Sequence, residues 1–151
     1  MRAASIFAAL LLTGCVSTYA PNIVGESAQL VIRVDKSSLT SGAVVRAQTY
    51  ADTSCRASAS GTEIATFSKI GPSAPDSGST HRIPASTPFI FTFYRFAGAM
   101  GLGDCKATYT FTPASGASYS ASFSGTCSVS IRNSDGSRID SLQPVTPPCY
   151  K

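Results

Sequence analysis

The chain has 151 residues, of which 43% are hydrophobic and only 13% are charged. That apolar content excludes an intrinsically disordered chain, and the length is enough for one domain with a substantial core. The formal net charge is +4, but the twelve Lys and Arg residues are scattered singly along the chain. Because no basic run marks a nucleic-acid site, we expect no nucleic-acid partner.

The first fifteen residues have the organisation of an export signal. Arg2 precedes an apolar run over residues 3–12, and small residues then lead into Cys15. The run is about half as long as the roughly 20 residues that a transmembrane helix needs. It therefore predicts a signal peptide over residues 1–14, which is removed and takes no part in the fold.

Leu12-Thr13-Gly14-Cys15 resembles the lipobox of bacterial lipoproteins. The resemblance implies cleavage before Cys15, a diacylglyceryl thioether on its sulfur and an acylated amine, so that fatty chains such as palmitate anchor the protein in a membrane. Val16 follows the cysteine, whereas inner-membrane retention in the enterobacterial system favours Asp there, so the resemblance implies the outer membrane, with the domain periplasmic or surface-facing. The alternative is an ordinary secretory signal in which Cys15 is a chance thiol.

Residues 15–27 lack periodicity and predict a tether, and residues 28–151 predict the folded domain. Period-two alternation of apolar and polar residues predicts strands over residues 28–34, 44–50, 62–70 and 89–96, with a weaker one over 80–83. In the most apolar of these, Phe89, Phe91 and Phe93 share one face and are expected to form the middle of the core.

Residues 105–111 and 118–124 alternate on both sides of a Pro-Ala-Ser-Gly turn and are predicted to pair as a hairpin. Gly125 predicts a bulge, after which Cys127, Val129 and Ile131 continue the second strand. Residues 144–149 form a proline-rich tail that is expected to be extended. The fold class predicted is all-β, an antiparallel sandwich of seven to eight strands stapled by disulfides.

Four cysteines remain besides Cys15, and an even number in an exported domain predicts two disulfides. The hairpin register brings Cys105 close to Cys127, which leaves Cys55 to hold the tail through Cys149. The pairing of Cys55 with Cys105 and of Cys127 with Cys149 stays open. Wide spacing and a single histidine argue against a zinc site, so we expect neither a metal nor a cofactor.

The sequence contains no G-x-S-x-G elbow, and its eight carboxylates are spread through turns. His81 is the one possible general base, and a lone histidine at a strand start favours simple solvation over catalysis. We therefore expect no enzymatic activity. Met100 and Leu102, in a glycine-rich loop, would form either an exposed contact patch or part of the core.

The pattern Phe111-x-Pro113-x-x-Gly116-x-x-Tyr119, with a cysteine on each flank, is similar to hairpins in small uncharacterised proteobacterial envelope lipoproteins. This resemblance implies a fold and a compartment but no activity. The function expected is a non-enzymatic, lipid-anchored binding module of the cell envelope. A protein partner is favoured, as in envelope assembly or inhibition of a hydrolase by an immunity factor. The alternative is a glycan-binding module with exposed Tyr50, Tyr94 or Tyr150 as a stacking platform.

Overall fold

The computed structural model describes residues 23–52, 61–68, 78–96, 105–125 and 127–149. These residues form nine strands and one short 3₁₀ helix, Lys36–Gly42. The strands are β1 Ser27–Val34, β2 Val44–Tyr50, β3 Thr62–Ser68, β4 Ser79–Pro84, β5 Phe89–Phe96, β6 Cys105–Phe111, β7 Ser118–Ser124, β8 Ser128–Asn133 and β9 Gln143–Pro144. In the described residues, no helix has the length and apolar character needed to cross a bilayer.

The strands form two sheets that pack face to face, which confirms the predicted all-β sandwich. One sheet has the order β4-β1-β7-β8 and the other has the order β3-β2-β5-β6-β9. Neighbouring strands are antiparallel except β1 and β7, which run parallel. The parallel pair is a departure from the purely antiparallel sandwich that was predicted.

The core lies between the sheets and is dominated by phenylalanine. Phe89, Phe91 and Phe93 are buried at its centre, as predicted from their alternation. The ring of Phe93 meets that of Phe123 in the opposite sheet, with centroids 5.6 Å apart. Such ring contacts stabilise the packing beyond the apolar area they remove from water.

The predicted hairpin between residues 105–111 and 118–124 is wrong. Strand β6 pairs with β5 and β9, whereas β7 pairs with β1 and β8 in the other sheet. The six residues between β6 and β7 instead arch across the core, where Pro113 is buried and the ring centroids of Phe111 and Tyr119 lie 5.0 Å apart. The backbone N–H of Ala114 donates to the Tyr119 hydroxyl oxygen at 2.8 Å and so fixes the arch, much as a tyrosine corner does in other sandwiches.

The prediction that β7 continues past Gly125 is also wrong, because the chain reverses there. Ser124 pairs with Ser128, and β8 then runs antiparallel to β7. Cys127 has a φ of 67°, the left-handed conformation that closes many three-residue hairpin loops. The Cys105–Cys127 disulfide therefore links the two sheets rather than neighbouring strands, with its Cα atoms 5.7 Å apart.

The C-terminal tail covers the outer face of the sheet that contains β5. Ile90 and Tyr50 pack there against Cys149, with Val145 beside them. Cys149 is disulfide-bonded, and since Cys105 and Cys127 bond each other, its partner lies outside the described residues. The predicted partner, Cys55, is one of those undescribed residues, so this pairing stays a prediction.

A closed ring of hydrogen bonds fixes the tail on the sheet. The Cys149 N–H donates to Thr108 Oγ1 at 2.8 Å, and Thr92 Oγ1 donates to the Cys149 carbonyl at 3.0 Å. The two threonine hydroxyls are 2.6 Å apart. Because the single proton of Thr92 goes to the carbonyl, Thr108 must donate to Thr92, and every group in the ring is then satisfied.

Removing the inter-sheet disulfide should destabilise the domain. The bridge closes a loop with a sequence separation of 22 residues, for which the chain-entropy relation gives about 3 kcal/mol. We expect the Cys105→Ala/Cys127→Ala double variant to lose about that much unfolding free energy in urea titrations under non-reducing conditions. A loss below about 1 kcal/mol would show that the bridge does not constrain the unfolded chain.

Thr108→Val should loosen the tail, because it keeps the side-chain shape but leaves the Cys149 N–H and one Thr92 lone pair without their partner. The expected loss of unfolding free energy is about 1–3 kcal/mol. Thr110→Val is the matched control, since Thr110 lies two residues along the same strand but outside the ring. Equal losses in the two variants would contradict a stabilising role for the ring.

Candidate functional site

Several residues singled out in the sequence lie outside the described residues. They are Cys15, Cys55, Met100, Leu102 and Tyr150. The lipid anchor, the loop contact patch and one of the three tyrosines therefore remain predictions. The structure bears on the remaining candidates, which are His81, Tyr50, Tyr94 and the cysteines already placed.

His81 lies on the inner face of the sandwich, whereas the sequence analysis predicted that its side chain would be solvated. Its cross-strand neighbour on β1 is Leu30, which is fully buried. Residues directly opposite each other on paired strands share a face, so the imidazole is directed into the space between the sheets. Burial lowers the pKa of His81, and no group of three or more His, Cys, Asp or Glu residues is gathered anywhere in the described chain. The structure gives this histidine a packing role.

Tyr50 and Tyr94, the two candidate tyrosines among the described residues, do not form a stacking platform. Tyr50 is only 7% exposed, and Tyr94 is only 8% exposed. Tyr50 packs against Ile90 and Cys149 under the tail. The Lys106 ammonium lies 5.6 Å from the centroid of the Tyr94 ring, so that this ring is already covered by a cation. Sugar stacking on these two residues is therefore excluded.

A hollow of about 540 Å³ opens at one end of the sandwich, which we call the proximal end because Ser27, the start of β1, lies there. Its apolar lining includes Tyr50, Pro84, Pro88 and Phe89. Its rim adjoins Asp52, beyond which the described chain resumes only at Gly61.

The groove beside β8 is the surface with the clearest binding geometry. Strand β8 lies at the end of its sheet, with β7 as its one neighbour among the described strands. A groove of about 360 Å³ separates it from the chain segment over residues 138–142, which leads to β9. Val129 and Ile131 line one side, and Ile139 and Leu142 line the other.

Two arginines lie on the rim of this groove. Arg132 lies on β8, and Arg138 begins the facing segment. Both side chains are exposed, and both residues line the groove. One amino group of Arg132 donates to the Gly136 carbonyl at 3.3 Å. Asp135, in the same turn, accepts from the Ser137 N–H at 2.8 Å, and hydrogen bonds from Ser137 lower its pKa. The carboxylate thus serves the turn and does not line the groove.

The sequence analysis did not predict this groove, although it did predict that the residues of one wall form a strand. The alternation through Val129 and Ile131 indicated a strand, but alternation does not tell an edge strand from a central one. The facing wall, with Ile139 and Leu142, carries no period-two pattern. Its place beside β8 depends on how the chain crosses from one sheet to the other.

No protein-family model matches this chain, and no curated protein or solved structure matches it either. A function therefore has to be inferred from the residues and surfaces of the chain itself.

The stability of the domain should fall as His81 becomes protonated. Because burial lowers the folded-state pKa below 6.5, the unfolded chain binds this proton at a higher pH than the folded chain does. The contribution is present above the unfolded pKa and is lost progressively as the pH falls from there through the lower folded pKa. We expect the urea midpoint to drop between about pH 7.5 and about pH 5.5, and to drop less in His81→Gln. An identical drop in both proteins would assign the effect to other groups.

Proposed function

We propose that this protein is a lipid-anchored, non-enzymatic binding module of the cell envelope, and that its ligand is another protein. The observation that supports a protein ligand most directly is the groove beside β8. A groove with aliphatic residues in both walls and two arginines on its rim, beside a strand edge on which the described residues place no further strand, has features of a protein-recognition surface. The compartment and the anchor are proposed from the first fifteen residues.

Chain geometry is compatible with tethering to a membrane. Val24 is almost fully exposed, and the described chain enters the sandwich at Ser27. From Cys15 to Ser27 a fully extended chain would reach about 40 Å at most. The proximal end would then face the membrane, while β8 runs along one side of the sandwich and stays accessible to partners in the envelope.

The rigid frame also supports a binding role. The disulfide at Cys127 fixes the chain just before β8, and Asn133 Nδ2 donates to the Arg138 carbonyl at 3.0 Å, which ties the end of β8 to the facing segment. A preformed surface loses little conformational entropy when a partner binds, which favours affinity. An oxidising envelope compartment suits a domain that depends on such disulfides.

Cys15→Ala should release the protein from the membrane. With no sulfur to carry the diacylglyceryl group, the variant is expected in the soluble fraction of disrupted cells, whereas wild type stays in the membrane fraction. Mass spectrometry of the wild-type amino terminus should show an acylated cysteine. Cys55→Ala is a control, since it removes a cysteine of the predicted Cys55–Cys149 disulfide but leaves the proposed anchor intact. A soluble wild-type protein with an unmodified Cys15 would refute the anchor.

The binding role is tested by affinity capture from detergent-solubilised envelope. Wild-type protein should retain the same envelope protein reproducibly, and an Arg132→Glu/Arg138→Glu variant should retain less of it. Arg33→Glu, on the central strand β1 of the same sheet, should behave as wild type. Absence of any reproducible partner would contradict the proposed function.

A further inference from the structure

The backbone of β8 presents hydrogen-bonding groups to the open edge of its sheet. The Ser134 N–H donates to the Ser118 carbonyl at 2.9 Å, and hydrogen-bonded pairs alternate along an antiparallel ladder. Arg132 and Ser130, opposite Ser120 and Ser122, therefore direct their backbone groups toward β7. Val129 and Ile131 direct theirs away from it, toward the groove side of the strand.

Asn133 supports this assignment. It belongs to the same alternate set as Val129 and Ile131, and its N–H donates to the Ser137 carbonyl at 3.1 Å, outside the ladder with β7. At Val129 and Ile131 the described part of the chain places no further strand. The edge can therefore accept an additional strand over these residues.

The side chains around the edge set the pattern that an added strand would need. Ile131 is buried on the inner face, and Ile139 and Leu142 pack against the core on the far side of the groove. Every second residue of an added strand would point into the groove between these aliphatic side chains. The intervening residues would lie on the outer face, beside the exposed Arg132.

The charge of the groove indicates which kind of segment could pair with the edge of β8. Among the described residues that line the groove, the charged ones are Arg132 and Arg138, so the groove attracts a segment that carries carboxylates. A second copy of this chain, paired edge to edge through β8, would bring the same arginines together across the interface. Like charges brought together in this way oppose that pairing.

We propose that β8 binds an extended, acidic segment of another protein by strand addition, with alternate apolar side chains in the groove and carboxylates on Arg132 and Arg138. This inference rests on the proposed function, since it specifies the chemistry of the partner that the module recognises. The main-chain hydrogen bonds would supply affinity, and the groove and arginines would supply specificity.

The test uses a synthetic peptide in which glutamate and valine alternate over seven residues, labelled with a fluorophore and titrated with the full-length protein in detergent. Fluorescence anisotropy should show binding. The affinity should fall at least tenfold for the Arg132→Glu/Arg138→Glu variant and change less than twofold for Arg33→Glu. A peptide with lysine in place of each glutamate should bind at least tenfold more weakly.

A second set of measurements tests the backbone edge. Val129→Pro removes one N–H that points away from β7, a substitution that edge strands tolerate, and should weaken peptide binding at least tenfold. In wild type, the peptide should slow hydrogen exchange at the amides of Val129 and Ile131. This exchange measurement needs no variant, so it decides the matter even if Val129→Pro fails to fold.

Equal binding of the lysine peptide, unchanged amide exchange, or a dimer that forms through β8 in place of peptide binding would each overturn the inference. The proposed function can fail separately. If envelope capture yields a partner whose retention is insensitive to the β8 variants, the binding role stands and the strand-addition mode falls. If no partner is captured at all, the binding role falls.

Discussion

Burial of both faces of β5 is the constraint on which the rest of this structure depends. Phe89, Phe91 and Phe93 fill the space between the sheets, while Ile90 and Thr92 on the opposite face are also buried. A strand that is apolar on both faces needs a cover on each. The second sheet provides one cover, and the C-terminal tail provides the other through its hydrogen-bonded ring and the disulfide at Cys149.

That constraint also forms the candidate binding surface. To reach the outer face of β5, the chain must leave the end of β8, cross the side of the sandwich and enter β9 beside β6. The crossing segment anchors Ile139 and Leu142 against the core. It thereby becomes the second wall of the groove, and the described residues place no further strand beyond β8. The stability of the domain and the proposed recognition surface thus share one structural cause.

The sequence predicted the strands well because side-chain alternation reports directly on which face of a strand is buried. The three phenylalanines of β5 are the clearest case. Alternation does not report which strand is the neighbour, however, so the run from Cys105 to Phe111 and the run from Ser118 to Ser124 suggested a hairpin. They in fact face each other across the core, where the same inward pattern is required. The Cys105–Cys127 pairing was predicted correctly, although from a register that does not exist.

The candidate site was largely beyond sequence reasoning. His81 and Tyr94 were judged by residue type, but their surroundings depend on which strands pair, β4 with β1 and β5 with β6. The groove similarly joins β8 to a segment without periodicity. The prediction for Cys15, by contrast, rests on a local motif that can be read from the sequence alone.

The most direct measurement of the central claim is site-specific photo-crosslinking in intact cells. A photoreactive amino acid at Ser130 on β8 should yield an adduct with an envelope protein, whereas the same group at Gln29 on the central strand β1 should not. Both positions are exposed on the outer face of the same sheet, so they differ chiefly in their distance from the open edge. Adducts from Gln29 alone, or from neither position, would contradict recognition through β8.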